Sequence, residues 1–443
     1  MRRYLPVAAA LCILLICSER YYQSTIVRRV PVLNSAPCDF LPYYQAAQHI
    51  VHGESPYLAD GYIYPPLFAF LLTPLTALDY VTARRAWFVI SQLFLIASAV
   101  LLWRRFGRDW TSACWIAFVW GFGIAAGESL AVGQVGPLLT FLVVLALTAR
   151  HWKRGTAVAL GFAIKLFPGM LGVAIILRGG KRASRAMIAG AIAAFALPWA
   201  AAAALLHGPS GLGKGSAWMG TPATLSWSLP SVVLRILDPS RGDFIVPSHW
   251  MLGTDLEHFR LPLYLAVANL AVVVITLVVG LSAIVWSASI RIMEEQVPWV
   301  MAALVSLALV ASPVSWTHYQ VLEYPGVALL LIHAWRHRQW VQLIAVLALA
   351  ALVYPLPIHM MDTLAQHWTA GSFNAVYFWS TVPPVASMAL FAMFVRRAAQ
   401  SAFLHALPRP ADSLLSYTPL QADDLRTCTS SPVAFAASRS TYR

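Results

Sequence analysis

The chain has 443 residues, of which 59% are hydrophobic and 11% charged, with a net charge of +13 and a mean hydropathy of +0.67. So few charges exclude an ordinary soluble domain, where about a quarter of residues carry one. The positive balance does not point to nucleic acid, because the basic residues, nearly all arginine, fall in short clusters between apolar runs and report membrane topology instead.

From the N-terminus, M-R-R and the apolar Tyr4–Cys17 have the length and flanks of a signal peptide, but no small-residue cleavage site follows. An uncleaved first helix is expected, with the chain exported from residue 19. The first loop, Glu19–Arg85, is then external. Within it Pro66–Tyr80, about fourteen residues interrupted by Pro74, is too short to cross and is expected as a juxtamembrane or half-inserted helix. Ala86–Trp103 is the second full span. Runs of spanning length recur later, for example Leu261–Trp286, Val297–Trp316 and Asn374–Val395.

The basic clusters Arg2–Arg3, Arg104–Arg108, Arg150–Arg154, Arg178–Arg185, Arg336–Arg338 and Arg396–Arg397 are expected on the cytoplasmic side. An even number of crossings must then separate successive clusters. Only about 23 residues lie between Arg154 and Arg178, too few for two full spans. A short hairpin is expected there, turning near Lys165-Leu-Phe-Pro168 and buried in protein. One long helix with an exported basic cluster is the alternative. The expectation is an all-α polytopic membrane protein of about twelve spans with both termini inside. Its external elements are Glu19–Arg85, Gly127–Gln134, the Lys165 turn, His207–Arg260, the corner near His318 and His359–Phe373. No internal repeat is evident. Residues 1–397 form the membrane domain, and the polar, Ser/Thr/Pro-rich 398–443 are expected as a disordered cytoplasmic tail. The five cysteines (Cys12, Cys17, Cys38, Cys114, Cys428) show no metal-ligand spacing and no disulfide framework.

This topology gathers the chemistry-bearing residues on one side. Asp39, Tyr43, Tyr44, His49, Tyr57, Tyr62 and Tyr64 fall in the first external loop, and Glu128 and Gln134 in the next. Lys165 is at the hairpin turn, and Trp316, His318, Tyr319 and Glu323 at a later external corner. An ionisable group at membrane depth is costly, which makes function the default reading. Plainer readings compete. The tyrosines could be interfacial anchors, Lys165 could snorkel, His318 could be a satisfied interfacial histidine, and Asp39 could cap a juxtamembrane helix. Glu323 could pair with a neighbouring helix.

Glycosyl transfer from a lipid-linked sugar phosphate needs a carboxylate to accept the proton of the incoming hydroxyl. It needs cations to stabilise the departing phosphate, and an apolar groove for the polyprenyl chain. Asp39 offers the first, and Lys165, Arg84, Arg85 and His318 the second. No D-x-D motif occurs in the external loops, and protein cations suffice in principle, so no metal or other cofactor is expected.

D-F-L-P-Y-Y-Q-A-A (Asp39–Ala47), G-E-S-P-Y (Gly53–Tyr57) and Y-P-P-L-F-A (Tyr64–Ala69) are followed in order by three later segments. These are G-Q-V-G-P-L-L (Gly133–Leu139), A-I-K-L-F-P (Ala163–Pro168) and S-P-V-S-W-T-H-Y (Ser312–Tyr319). The ordered set, spanning about Met1 to Arg397, resembles glycosyltransferase family 87, whose members have the GT-C membrane fold. The resemblance implies an inverting hexosyltransferase using a polyprenyl-phosphate sugar, with mannose the expected sugar; with the absence of a metal requirement read above, a metal-independent one is expected. It would act on a lipid or glycan acceptor at the external or periplasmic face of a bacterial inner membrane. It implies Asp39 as general base, and Lys165 and His318 near the donor phosphate; Arg84 and Arg85 remain candidate phosphate ligands from the reading of the residues alone. Tyr43, Tyr44, Tyr64, Glu128, Gln134, Trp316, Tyr319 and Glu323 are the candidate substrate contacts. Many relatives have a second histidine where Tyr319 stands, so a role needing paired imidazoles is in question. The alternatives are a transporter or flippase of a lipid-linked precursor, and a non-catalytic assembly subunit.

Overall fold

The computed structural model describes residues 5–23, 39–209, 226–238, 261–288, 292–366 and 372–406. These residues form helices with no strand; the only β pairing among them is two isolated bridges, Glu54 with His207 and Ser226 with Trp316. The first half contains α1 (Leu5–Tyr21), α2 (Phe40–Val51), α3 (Pro66–Leu72), α4 (Tyr80–Leu102), α5 (Trp110–Phe122), α6 (Ile124–Ala131), α7 (Gly136–Thr148) and α8 (His151–Ile164). The second half contains α9 (Gly172–Arg178), α10 (Lys181–Ala191), α11 (Leu197–Leu205), α12 (Leu229–Leu237), α13 (Leu263–Ala288), α14 (Val297–Ala311), α15 (Tyr324–Arg336), α16 (Trp340–Val353), α17 (Pro355–Gln366) and α18 (Ser372–Ala406). By compactness the chain divides into Met1–Ala402 and Phe403–Arg443. Of the segment expected as a disordered tail, residues 398–406 are instead the helical end of α18, with Ala398 buried; residues 407–443 and Arg2–Arg3 lie outside the described residues.

The fold is that of an all-α polytopic membrane protein. Five described stretches are long and apolar enough to cross a bilayer: Tyr80–Gly107, Lys181–Leu205, Leu263–Ser287, Trp340–Met361 and Ala375–Ser401. The pair α5–α6, bent by 52° at Gly123, makes up to six. Twelve crossings are not reached by length, because α7, α14 and the arms of the Lys165 hairpin are shorter than the roughly 20 residues a bilayer core requires. The short helices sit inside the bundle. Almost every residue of α14 is buried, as expected for a helix apolar on all faces. α13, by contrast, leaves Val267, Ile275 and Val279 exposed on its outer face.

One end of the molecule collects the basic clusters through a continuous set of contacts. Glu294, in the turn before α14, pairs with Arg154 at 2.6 Å, Arg178 at 3.5 Å and Arg150 at 3.8 Å. Nearby, Gln296 donates Nε2 to the Ala398 carbonyl at 2.9 Å, next to Arg397, which bonds Gln339 and Gln342. Three residues before Gln339, Arg336 bonds Asp109 and the carbonyls of Phe106 and Gly107. These contacts draw residues of the described basic clusters together. In particular, Arg154 and Arg178 meet at one carboxylate, so α8 and α9 are the arms of a hairpin with Lys165 at its far turn. The hairpin is backed by α10, which approaches α8 so closely that a Cβ at Gly155 would lie 2.0 Å from the Ala183 carbonyl.

Glu294 was not reachable as a structural residue from its loop position. Glu294→Ala is expected to lower stability by about 3 kcal/mol, because Arg154, whose side chain is 5% exposed, would lose its paired charge and face two further arginines. The check is the Tm of the purified variant in detergent. An unchanged Tm would mean that packing alone holds the hairpin shut.

Candidate active site

At the opposite end from the basic clusters, five loops and helix termini converge. Asp39 stands at the N-terminus of α2 but does not cap it: its backbone is helical and its carboxylate accepts no bond from the helix N–H groups. The capping reading is therefore set aside. Instead Asp39 Oδ2 accepts a 2.5 Å hydrogen bond from Gln134 Nε2, across 95 residues of sequence.

Gln134 is placed by the turn after α6. Gly133 has a φ of +71°, and a Cβ there would lie 2.6 Å from Phe40 Cβ, so glycine is required both for the backbone and for the close approach. Trp87 Nε1 donates to the Gly133 carbonyl at 2.9 Å, and the Phe40 N–H to Val132 at 3.2 Å. This turn and the start of α2 are thereby fixed together. Arg84, buried on α4, donates Nη2 to the Ala131 carbonyl at 3.1 Å and so ties to the same turn. Its neighbour Arg85 is exposed.

Gln134 Oε1 lies 2.9 Å from the Tyr43 hydroxyl and 3.2 Å from that of Tyr64. Tyr64 is also 3.2 Å from the Tyr319 hydroxyl and accepts from Lys165 Nζ at 3.4 Å. The ammonium lies 3.5 Å from the centroid of the Tyr319 ring and 5.0 Å from that of Tyr64. That seat is a cation–π contact, which suits a cation taken partly out of water. Tyr319 is thus the aromatic platform for Lys165. His318 packs edge-on to the same ring, with centroids 4.4 Å apart, and its Nε2 has no hydrogen-bond partner among the described residues.

The tyrosines are interior residues, not interfacial anchors. Tyr43, Tyr57, Tyr62 and Tyr64 are all buried, and their hydroxyls bond inward. Tyr57 reaches the Tyr64 carbonyl at 3.1 Å and Tyr62 the Pro65 carbonyl at 2.8 Å, folding the Y-P-P loop onto itself. Tyr44 donates to Leu78 at 2.7 Å and pins the segment before α4. Asp39 and Lys165, by contrast, are half-buried, open enough to meet a ligand. Lys165 is not snorkelling, since its head is held on two aromatic rings.

The remaining candidates sit around this network. Glu128 is half-buried on α6 and accepts from the Thr317 hydroxyl at 2.9 Å, beside His318. Thr317 escapes sequence reasoning; its place in S-P-V-S-W-T-H-Y is the only signal for it. Trp316 is partly buried and bridges to Ser226. Glu323 is fully buried and accepts from Ser387 on α18 at 3.1 Å, so it pairs with a neighbouring helix.

Burial raises the Asp39 pKa above the usual carboxylate range, opposed by the Gln134 hydrogen bond and the Lys165 charge. A carboxylate with raised proton affinity, half-open, one network away from an ammonium, is suited to general-base work beside a developing anion.

The fold and site together define a multi-pass membrane protein with an acid and a cation joined through one hydrogen-bonded network. The sequence profile of "Glycosyltransferase family 87" matches residues 62–313, more than half of the chain, and the chain belongs to that family. The matched segment includes Gln134 and Lys165 but ends short of Asp39 and His318, whose placement rests on the geometry. Among curated relatives, the "Polyprenol-phosphate-mannose-dependent alpha-(1-2)-phosphatidylinositol mannoside mannosyltransferase" of Mycobacterium tuberculosis is 26% identical over 334 residues, 69% of each chain. "GPI mannosyltransferase 1" of Aspergillus oryzae is 30% identical over 145 residues, 31% of this chain and 34% of that one. The enzyme of the same name from Kluyveromyces lactis is 28% identical over 109 residues, 25% and 27% of the two chains. The chain therefore spans about a third or less of the GPI mannosyltransferases it matches.

Proposed function

We propose that this protein is an inverting, metal-independent mannosyltransferase of a bacterial inner membrane. It takes mannose from polyprenyl-phosphate mannose and delivers it to a hydroxyl of a membrane-borne lipid or glycan at the external face. The observation that carries this reading is the network running Asp39–Gln134–Tyr64–Lys165, at the end opposite to the basic clusters. The positive-inside rule makes that end external. The mannosyltransferase relatives, one of them named for its polyprenol-phosphate-mannose dependence, support the donor.

In this mechanism Asp39 takes the proton of the acceptor hydroxyl as its oxygen attacks the anomeric carbon. The bond from that carbon to the phosphate oxygen breaks on the opposite face, and the electron pair leaves with the polyprenyl phosphate. The phosphate charge grows as a diester becomes a monoester. Lys165, already seated for a cation, stabilises that charge, and His318 offers an unpartnered nitrogen beside it. Glu128 and Trp316 flank the site as acceptor contacts, and Tyr43 and Tyr64 line it.

The test uses purified protein in liposomes with mannose-labelled polyprenyl-phosphate mannose and a panel of acceptors, including phosphatidylinositol mannosides. Label is expected to move into an acceptor fraction without added divalent metal. Equilibration of intact donor across the bilayer with no transfer to any acceptor would support transport instead and overturn the reading.

A further inference from the structure

Gln134 is buried and has no surface to offer a sugar. Its side chain is fully used. Oε1 faces the hydroxyls of Tyr43 and Tyr64 at 2.9 and 3.2 Å, themselves 2.9 Å apart, and accepts from its neighbour's Val135 N–H at 3.3 Å. Tyr64 can give its proton to Oε1 because its own oxygen accepts from Lys165. With Oε1 committed, Nε2 must point at Asp39. The flipped amide would set its carbonyl against a carboxylate and its NH₂ against the Val135 N–H, which can only donate. The backbone is held as firmly, by Gln134 N–H to Ser129 at 2.8 Å and by the Gly133 turn.

We infer that Gln134 is the positioning residue for the base, holding Oδ2 of Asp39 so that Oδ1 alone faces the acceptor hydroxyl. This assignment rests on the reading of Asp39 as general base, and it replaces the expectation that Gln134 touches substrate. Among the described residues Oδ1 has no hydrogen bond, which is what a proton-accepting oxygen requires. The chemistry also explains the residue type. A neutral amide orients a carboxylate without the strong charge stabilisation of a paired cation, which would make it a weaker base. The same amide couples the two halves of the site, because the hydroxyl that fixes Oε1 also receives Lys165.

The test compares Gln134→Leu and Gln134→Glu with wild type and Asp39→Asn, measuring kcat, KM for both substrates and the pH profile. For Gln134→Leu, kcat is expected to fall about 10²-fold, the cost of a misplaced reacting group, with both KM values within about twofold of wild type. Its acid limb should move to higher pH, since a bond that favours the charged carboxylate is gone. Gln134→Glu, nearly the same size, carries the test if the leucine variant does not fold. A second carboxylate beside Asp39 should move the acid limb up by a pH unit or more. A raised acceptor KM with unchanged kcat would restore the substrate-contact role. An unmoved acid limb with kcat reduced only in proportion to folded protein would reduce Gln134 to a packing residue. Both outcomes overturn the inference while leaving an inactive Asp39→Asn, and so the base assignment, in place. An active Asp39→Asn would remove the base itself and the inference with it.

Discussion

Asp39→Asn is expected to lower transfer by 10²–10⁴-fold, the usual contribution of a positioned general base, while donor KM stays within about twofold. The substitution is clean for a structural reason. The carboxylate makes no helix cap, so the loss cannot be assigned to an uncapped α2, which would otherwise cost about 1 kcal/mol. Asparagine keeps an oxygen for the Gln134 bond and removes the ability to take a proton, together with the charge that faces Lys165. Stability should not fall either. The folded-state pKa of Asp39 is raised by burial, so the group contributes most stability when protonated and loses it as pH rises through the raised pKa. At neutral pH the neutral amide therefore relieves a burial cost. Since the charged form is the active base, wild-type activity should fall with acidification at a pH above the ordinary carboxylate range. Full activity in the variant, with normal expression, would sink the base assignment.

Parts of this site are legible in the sequence because membrane proteins write topology in charge. The hairpin could be inferred from the spacing of Arg154 and Arg178, and the contacts of Glu294 show both arms ending together. Once the crossings are even, Asp39, Gln134, Lys165 and His318 must share a side. What the sequence could not show is which of them touch. A tyrosine at an interface and one in a buried network are both apolar rings with a polar tip, and only the partner distinguishes them. For Tyr43 that partner is 91 residues away and for Tyr64 at Tyr319 it is 255. Gln134 is conspicuous in G-Q-V-G, but nothing local reveals that its amide is saturated. The expected twelve spans exceed the five or six identified by length for a different reason. A window of hydropathy identifies helices that meet lipid along their length, whereas α7, α8 and α14 are buried in the bundle. Protein neighbours can satisfy and shield a short helix that lipid would not.

Lys165→Ala is expected to raise donor KM about tenfold, the worth of one hydrogen bond to a charged group, and to lower kcat about 10²-fold. Both should change, because the phosphate is charged before the reaction and more so at the transition state. The competing view is that Lys165 is structural. It follows α8 directly, its N–H bonds Gly161 at 2.9 Å, and a cation at a helix C-terminus is favourable by up to about 1 kcal/mol. Its ring contacts could serve the same end. The two views separate on three readouts. A structural lysine predicts a lower Tm, unchanged donor KM and an unmoved pH profile. A phosphate ligand predicts the KM and kcat changes together, partly recovered by Lys165→Arg, which restores the charge. The third readout is the acid limb set by Asp39. The Lys165 charge holds the Asp39 pKa down, so neutral Lys165→Gln should let it rise and shift the limb to higher pH. A variant with wild-type donor KM and an unshifted limb would place Lys165 among the residues that merely finish α8.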